Sequence, residues 1–143
     1  SRLSQMHNTD TPLALLLIDV DHFKRFNDTH GHPAGDQALR VFAELLFAHT
    51  RKTGGIAARY GGEEFAVLVQ GEQAHSAPRI AEELRLRVGS LLMTLDNGSS
   101  AQLTVSIGVA LAKPTDDAHS LVARADKALY SSKHSGRDQV NLA

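Results

Sequence analysis

The sequence predicts an α+β domain: a mostly antiparallel sheet of about five strands flanked by helices, close to the split βαβ arrangement. Three observations carry that prediction. Apolar segments of strand length alternate with longer segments whose apolar residues recur at helical spacing, in the order β-α-α-β-β-α-β-α-β. Glycine, proline and Asn-Gly breaks separate them in place of long linkers. At 143 residues, with no internal repeat and no low-complexity stretch, the chain has room for one core and not two.

The elements follow in order. Leu13 to Val20 is a continuous apolar run preceded by Pro12, the pattern of a strand buried on both faces, and it ends in acid. A short helix is expected from Asp21, an acceptable N-cap, to about Asn27. Gly31-His32-Pro33 breaks it, and Ala34 to His49 then carries Leu39, Phe42, Ala43, Leu46 and Phe47 at helical spacing. Ile56 to Tyr60 and Phe65 to Val69 read as short strands flanking Gly61-Gly62-Glu63-Glu64. The paired glycines predict a tight hairpin that uses positive φ. Ala77 to Leu95 reads as the longest helix, burying Ile80, Leu84, Val88, Leu91 and Leu92. A turn at residues 97–100, a strand from Leu103 to Leu111 and a helix from Ser120 to Lys133 come next. Gly136 closes that helix region, and Gln139 to Leu142 supplies a last edge strand.

Composition removes several classes of function. Fifteen basic against 16 acidic residues give a net charge of −1, so no basic surface suits nucleic acid or an anionic membrane. The absence of cysteine excludes disulfides and thiolate metal sites. Leu13 to Ile18 is the longest apolar run and is far too short to span a bilayer. With no signal peptide in view, a cytoplasmic domain is expected, in a host protein free to carry a membrane anchor elsewhere. Eight histidines, including His30-Gly31-His32, lack the carboxylate–histidine spacing on one helix face that a zinc site would use.

Three patches put polar residues where buried elements end. Asp19 closes the apolar strand, where an unpaired carboxylate is costly and a bound cation would stabilise it. The helix that follows offers free N–H groups suited to phosphate, with Lys24 one turn in. The second patch is Arg59-Tyr60-Gly61-Gly62-Glu63-Glu64-Phe65, whose glutamates are hard oxygen ligands; pairing of this hairpin beside the first strand would bring Glu63 close to Asp19. Two carboxylates with phosphate oxygens and open water positions suit magnesium better than zinc. The third patch, Ala125 to Arg137, places Lys133 and Arg137 at a helix end, ready for outer phosphates.

Four ordered motifs, IDVDHFKRFNDTHGH followed by GD, RYGGEEF, VSIGVA and ADKALYSSKHSGR, resemble the GGDEF family of diguanylate cyclases from about Leu13 to Val140. The resemblance implies a ferredoxin-like, nucleotidyl-cyclase-like two-layer domain that binds GTP with Mg2+, Mn2+ being acceptable. Asp19 and Glu63 match the metal-binding acids, with the Val20 carbonyl as a further ligand. Glu64 matches the second signature acid, which either binds metal or activates the attacking hydroxyl, so Glu63 and Glu64 are the catalytic candidates. Asn27 and Asp36 match the guanine readers, an amide and a carboxylate offering donors and acceptors to one edge. Phe23 through its backbone, and Lys24, Lys133 and Arg137 through their side chains, match phosphate contacts. Gly61 and Gly62 match the turn against the nucleotide.

The reaction so implied joins two GTP into cyclic di-GMP at an antiparallel homodimer, and the family setting implies an upstream sensor or regulatory domain. Two departures stand out. The product-inhibition motif Arg-x-x-Asp is replaced by Lys52-Thr53-Gly54-Gly55, so no allosteric inhibitory site is expected. The family's Asp-x-Leu-Thr-x-Leu-x-Asn-Arg segment does not precede these residues. Residues 1–143 therefore read as one such domain truncated at its N-terminus, with Ser1 to Met6 continuing the first helix. Plainer roles compete at several positions: Asp21 as a helix cap, Asn27 as a helix stop, Asp36 as the cap of the next helix, and Asp126 in a structural hydrogen bond. At the level of function, the rival readings are a catalytically silent GTP-binding domain that regulates a neighbour, a dimerisation scaffold, and a cyclase making cyclic mononucleotides, which would not be expected to carry the GGEEF signature.

Overall fold

The computed structural model describes residues 11–143; the helix expected at Ser1 to Met6 lies outside the described residues. Strand β1 spans Leu13–Val20 and every residue in it is buried. Successive side chains of a strand alternate between faces. Ala14, Leu16, Ile18 and Val20 accordingly enter one core, and Leu13, Leu15 and Leu17 enter another. The same alternation sends Asp19 and Asp21 to the second side.

Helices α1 (Phe23–His30) and α2 (His32–Lys52) follow, then β2 (Ile56–Arg59) and β3 (Glu64–Gln70). A 3-10 turn over Gly71–Ser76 leads into α3 (Ala77–Ser90). The short strands β4 (Met93–Thr94) and β5 (Ser100–Ala101) pair as a separate ribbon before β6 (Val105–Leu111), α4 (Ala118–His134) and β7 (Gln139–Leu142). The main sheet runs β2-β3-β1-β6-β7, antiparallel throughout except for the parallel pair β6–β7.

The first face of the sheet packs against α2 and α3. Phe42 of α2 meets Phe65 of β3 edge-on at 5.0 Å between ring centroids, within a core that also holds Leu46, Ile80 and Leu84. The opposite face carries α4, whose Leu121, Ala125 and Leu129 pack on Leu13, Leu15 and Leu17. Gly108 sets how closely α4 approaches. A Cβ at that position would lie 2.2 Å from the Leu129 amide nitrogen and 2.3 Å from the Ala125 carbonyl oxygen. Above it, the buried Ser132 hydroxyl donates to the Ile107 carbonyl at 2.8 Å.

Several expectations are corrected. The residue preceding α1 is His22 in a left-handed conformation (φ 54°), and no side chain caps the helix, so Asp21 is not its cap. Pro33 lies inside the first turn of α2, where its missing N–H costs nothing. Helix α3 ends at Ser90 and not at Leu95, because Leu91 turns extended (ψ 112°) and the chain leaves for β4. Leu92 is consequently exposed at 62% and is not part of the core. The β2–β3 hairpin does not use positive φ at Gly61 or Gly62.

A polar cleft at the carboxyl end of β1

An open cleft of about 520 Å³ lies at the end of β1, lined by Asp19, Val20, His22, Phe23, Lys24, Arg25, Asp28, Glu63, Lys133 and Arg137. Three parts of the chain build it. The end of β1 supplies Asp19. Strand β3 pairs beside β1, and the Val20 N–H donates to the Glu63 carbonyl at 3.1 Å, which brings Glu63 to the same wall. The last turn of α4 and the residues after it bring Lys133 and Arg137 over the top. Phe23 and Lys24 open α1, whose first N–H groups no side chain caps.

Three carboxylates (Asp19, Asp28 and Glu63), one helix N-terminus and four cationic side chains (Lys24, Arg25, Lys133 and Arg137) thus share one opening. Lys133 donates to Asp19 Oδ2 at 2.8 Å. Arg137 stands 3.9 Å from Asp21, whose side chain is almost fully enclosed. Asp21 accepts hydrogen bonds from the hydroxyls of Thr104 (2.7 Å) and Ser106 (2.6 Å) and from the Asp138 N–H (2.9 Å).

No cluster of three or more His, Cys, Asp or Glu side chains converges to hold a metal ion among the described residues. Asp19 and Glu63 therefore do not form a closed structural site of the zinc type. Two hard carboxylate donors on an open polar cleft do fit magnesium, which retains water and substrate oxygens in its shell.

Glu64 lies opposite Asp19 in the β1–β3 register and turns under the hairpin rather than lining the cleft. A Cβ on Gly61 would sit 2.7 Å from Glu64 Oε2, so only glycine leaves that carboxylate its place. Arg59 fastens the turn from outside by donating to the carbonyls of Gly61 (3.1 Å) and Gly62 (2.5 Å). Partial burial, with the carboxylates of Glu64, Asp19 and Asp126 nearby, pushes the Tyr60 phenol up to about 12. Asp126 is exposed and makes no hydrogen bond among the described residues, contrary to the structural role expected for it.

Asn27 and Asp36 lie apart from the cleft, at the seam between α1 and α2. Asn27 folds onto Gly35, where a Cβ would come within 1.7 Å of Asn27 Oδ1. That oxygen is buried without a hydrogen-bond partner among the described residues. Asp36 is the next residue in the chain and is exposed. Sequence reasoning did not single out His22, Arg25 or Asp28 as lining the cleft. Their nearness to Lys24, with Asp28 one helical turn after it, was the available signal.

The chain matches the family described as "Diguanylate cyclase, GGDEF domain" over residues 1–139. It is 44% identical over 132 residues to Diguanylate cyclase A of Treponema denticola, covering 92% of this chain and 35% of that protein. It is 43% identical over 131 residues to the response regulator PleD of Caulobacter vibrioides, covering 90% of this chain and 29% of that protein. The chain thus spans about a third of the length of these relatives. Its fold is similar to the crystal structure of the GGDEF domain of DgcB from Caulobacter crescentus in complex with c-di-GMP. The TM-score is 0.92 at 39% identity, covering 99% of this chain and 84% of that one. A family match over nearly the whole length, together with the close similarity of fold, means that this chain belongs to the GGDEF family of diguanylate cyclase domains.

Proposed function

We propose that this domain joins two GTP molecules into cyclic di-GMP, each protomer of an antiparallel homodimer holding one GTP. The observation that carries the proposal is the single cleft shared by Asp19, Glu63, the start of α1, Lys24, Lys133 and Arg137. Asp19, Glu63 and the Val20 carbonyl are the ligands for Mg2+ (or Mn2+), which when bound supplies charge neutralisation on the triphosphate and acidifies the attacking hydroxyl. Lys24, Lys133 and Arg137 bind phosphate oxygens, as do the N–H groups at Phe23. Asn27 and Asp36 read the guanine edge, a role supported by the unpartnered buried oxygen of Asn27. Gly61 and Gly62 give the nucleotide close access to the turn, and Glu64 acts on the 3′-hydroxyl.

In each half-reaction a 3′-oxygen bonds to the α-phosphorus of the facing GTP, the α–β phosphoanhydride bond breaks, and pyrophosphate leaves with the bonding electrons. The hydroxyl proton passes to a base, for which Glu64 is the candidate. Positioning and electrostatics dominate such phosphoryl chemistry. Two protomers are required because each cleft presents only one nucleotide. The lengths of the relatives support an attached regulatory domain in the host protein.

The inhibitory site is read as absent. Gly55 replaces its acid, and a Cβ there would lie 2.7 Å from the Leu68 carbonyl, leaving no space for a carboxylate. The test is chromatographic product analysis of concentrated protein with GTP and magnesium, beside Glu64→Ala. Cyclic di-GMP from the parent alone, at a rate that does not slow as product accumulates, is the expected outcome. If dimers forced by fusion bind GTP and still make no product, the domain is a silent GTP-binding regulator instead.

A further inference from the structure

We propose that Asp21 and Arg85 are positioning residues: they lock the turn Gly136 to Asp138 and so aim Arg137 at the outer phosphates of the nucleotide. This rests on the guanine-nucleotide site proposed above. The turn that follows α4 is unusual. Gly136, Arg137 and Asp138 take φ values of 115°, 61° and 45°, so two residues with side chains adopt the left-handed region in succession. Such strain persists only where the surroundings over-determine it, and it gathers at functional sites.

Locally, the Arg137 N–H donates to the Ser132 carbonyl at 2.9 Å and Gln139 Nε2 donates to the Arg137 carbonyl at 3.1 Å, and two further grips reach the turn from other elements. From the end of β1, the enclosed Asp21 carboxylate accepts the Asp138 N–H at 2.9 Å, while Thr104 and Ser106 fix that carboxylate through their hydroxyls. From α3, Arg85 donates to the Asp138 carboxylate at 2.8 Å and to its carbonyl at 3.3 Å. Glu82 orients Arg85 in turn, accepting from Nε at 3.0 and 3.1 Å. Between these grips, Arg137 lies 3.9 Å from Asp21, too far for a hydrogen bond, so its guanidinium donors stay available to a phosphate. Arg85 does not itself line the cleft, so whatever it does to a bound nucleotide must pass through the turn. Relaxing Arg137 to negative φ would swing its side chain off the cleft.

The test compares the affinities of GTP and GMP for the full chain by calorimetry with magnesium. Arg85→Ala should weaken GTP about tenfold while leaving GMP unchanged, because only GTP reaches Arg137. Asp138→Asn, which keeps a residue tolerant of left-handed φ but removes the ion pair, should act in the same direction. In an Arg137→Ala background, Arg85→Ala should change GTP affinity less than about twofold. Equal losses for GTP and GMP, or an undiminished Arg85 effect without Arg137, would mean that Arg85 only holds the fold together, and the proposal would be wrong. A parent chain with no preference for GTP over GMP would instead overturn the nucleotide site itself, and the positioning role with it.

Discussion

Lys133 donates its ammonium to Asp19 Oδ2 at 2.8 Å, tying the last turn of α4 to the end of β1. The Asp19 side chain is 9% exposed and that of Lys133 31% exposed, so the contact is only partly shielded from water. A carboxylate so enclosed calls for a positive charge, and the protein's own ammonium supplies one. A divalent ion at Asp19 must share or displace it. Lys133→Met is therefore expected to tighten magnesium binding about fivefold in the absence of nucleotide, from ~1 kcal/mol of charge-assisted bonding after screening. GTP affinity should fall in the same variant. Titration calorimetry reads both, and unchanged or weaker magnesium binding would contradict the competition.

Gly35 gives the guanine reading a direct test. Gly35→Ala would place a methyl group 1.7 Å from Asn27 Oδ1 and 2.9 Å from Asn27 Cγ, so the amide must leave its seat. Preference for GTP over ATP in a competition assay should drop at least about tenfold, the scale of one lost hydrogen-bonding group to a base edge. A variant that folds and still prefers GTP as strongly would remove Asn27 from base recognition.

Two glycines should respond in opposite directions. Gly108→Ala drives a methyl into the backbone of α4 and should cost about 1–3 kcal/mol in urea unfolding, with loss of GTP binding because Lys133 moves with that helix. Gly89 lies within α3 and has nothing within 4 Å of a new Cβ. Gly89→Ala should stabilise by about 0.5–1 kcal/mol through reduced unfolded-chain entropy and better helix propensity.

His49 should make stability depend on pH. Burial holds its imidazole below the ordinary range; Arg87 and Lys52 add to that effect, and Glu83 opposes it. Below pH about 6.5 the unfolded chain takes up a proton that the folded chain resists. This contribution is present in full above about 6.5 and is lost as pH falls towards the depressed native value. His49→Gln should therefore show a smaller drop in urea midpoint between pH 7.5 and 5.5 than the parent. An equal drop would assign the acid sensitivity to other groups.

Some parts of this architecture were legible in the sequence and others were not, for physical reasons. The unbroken apolar run made β1 readable over its full span, because burial on both faces leaves no polar alternation to misplace its ends. Asp19, Lys24, Lys133 and Arg137 were legible as charges placed at the ends of apolar elements. The end of α3 was not, since Leu91 and Leu92 continue its apolar pattern while the backbone departs at Ser90. The two-residue strands β4 and β5 are too short to carry a period at all. Asp21 was misread because its partners Thr104, Ser106 and Asp138 lie more than 80 residues away in the chain. The grip of Arg85 on Asp138, 53 residues apart, is likewise a product of tertiary packing that no local window contains.

The sheet divides the interior unequally. Its larger core lies under α2 and α3, and the smaller one joins α4 to Leu13, Leu15 and Leu17. Opening free energy scales with the apolar contacts that must be broken. The helix bearing Lys133 rests on the smaller core, whereas the strand bearing Asp19 is buried in both and yields later than that helix. Charge chemistry in this domain is thus staged between a fixed anvil and a detachable hammer. Amide hydrogens of α4 should exchange with solvent earlier than those of β1, and should slow when a nucleotide bridges the two.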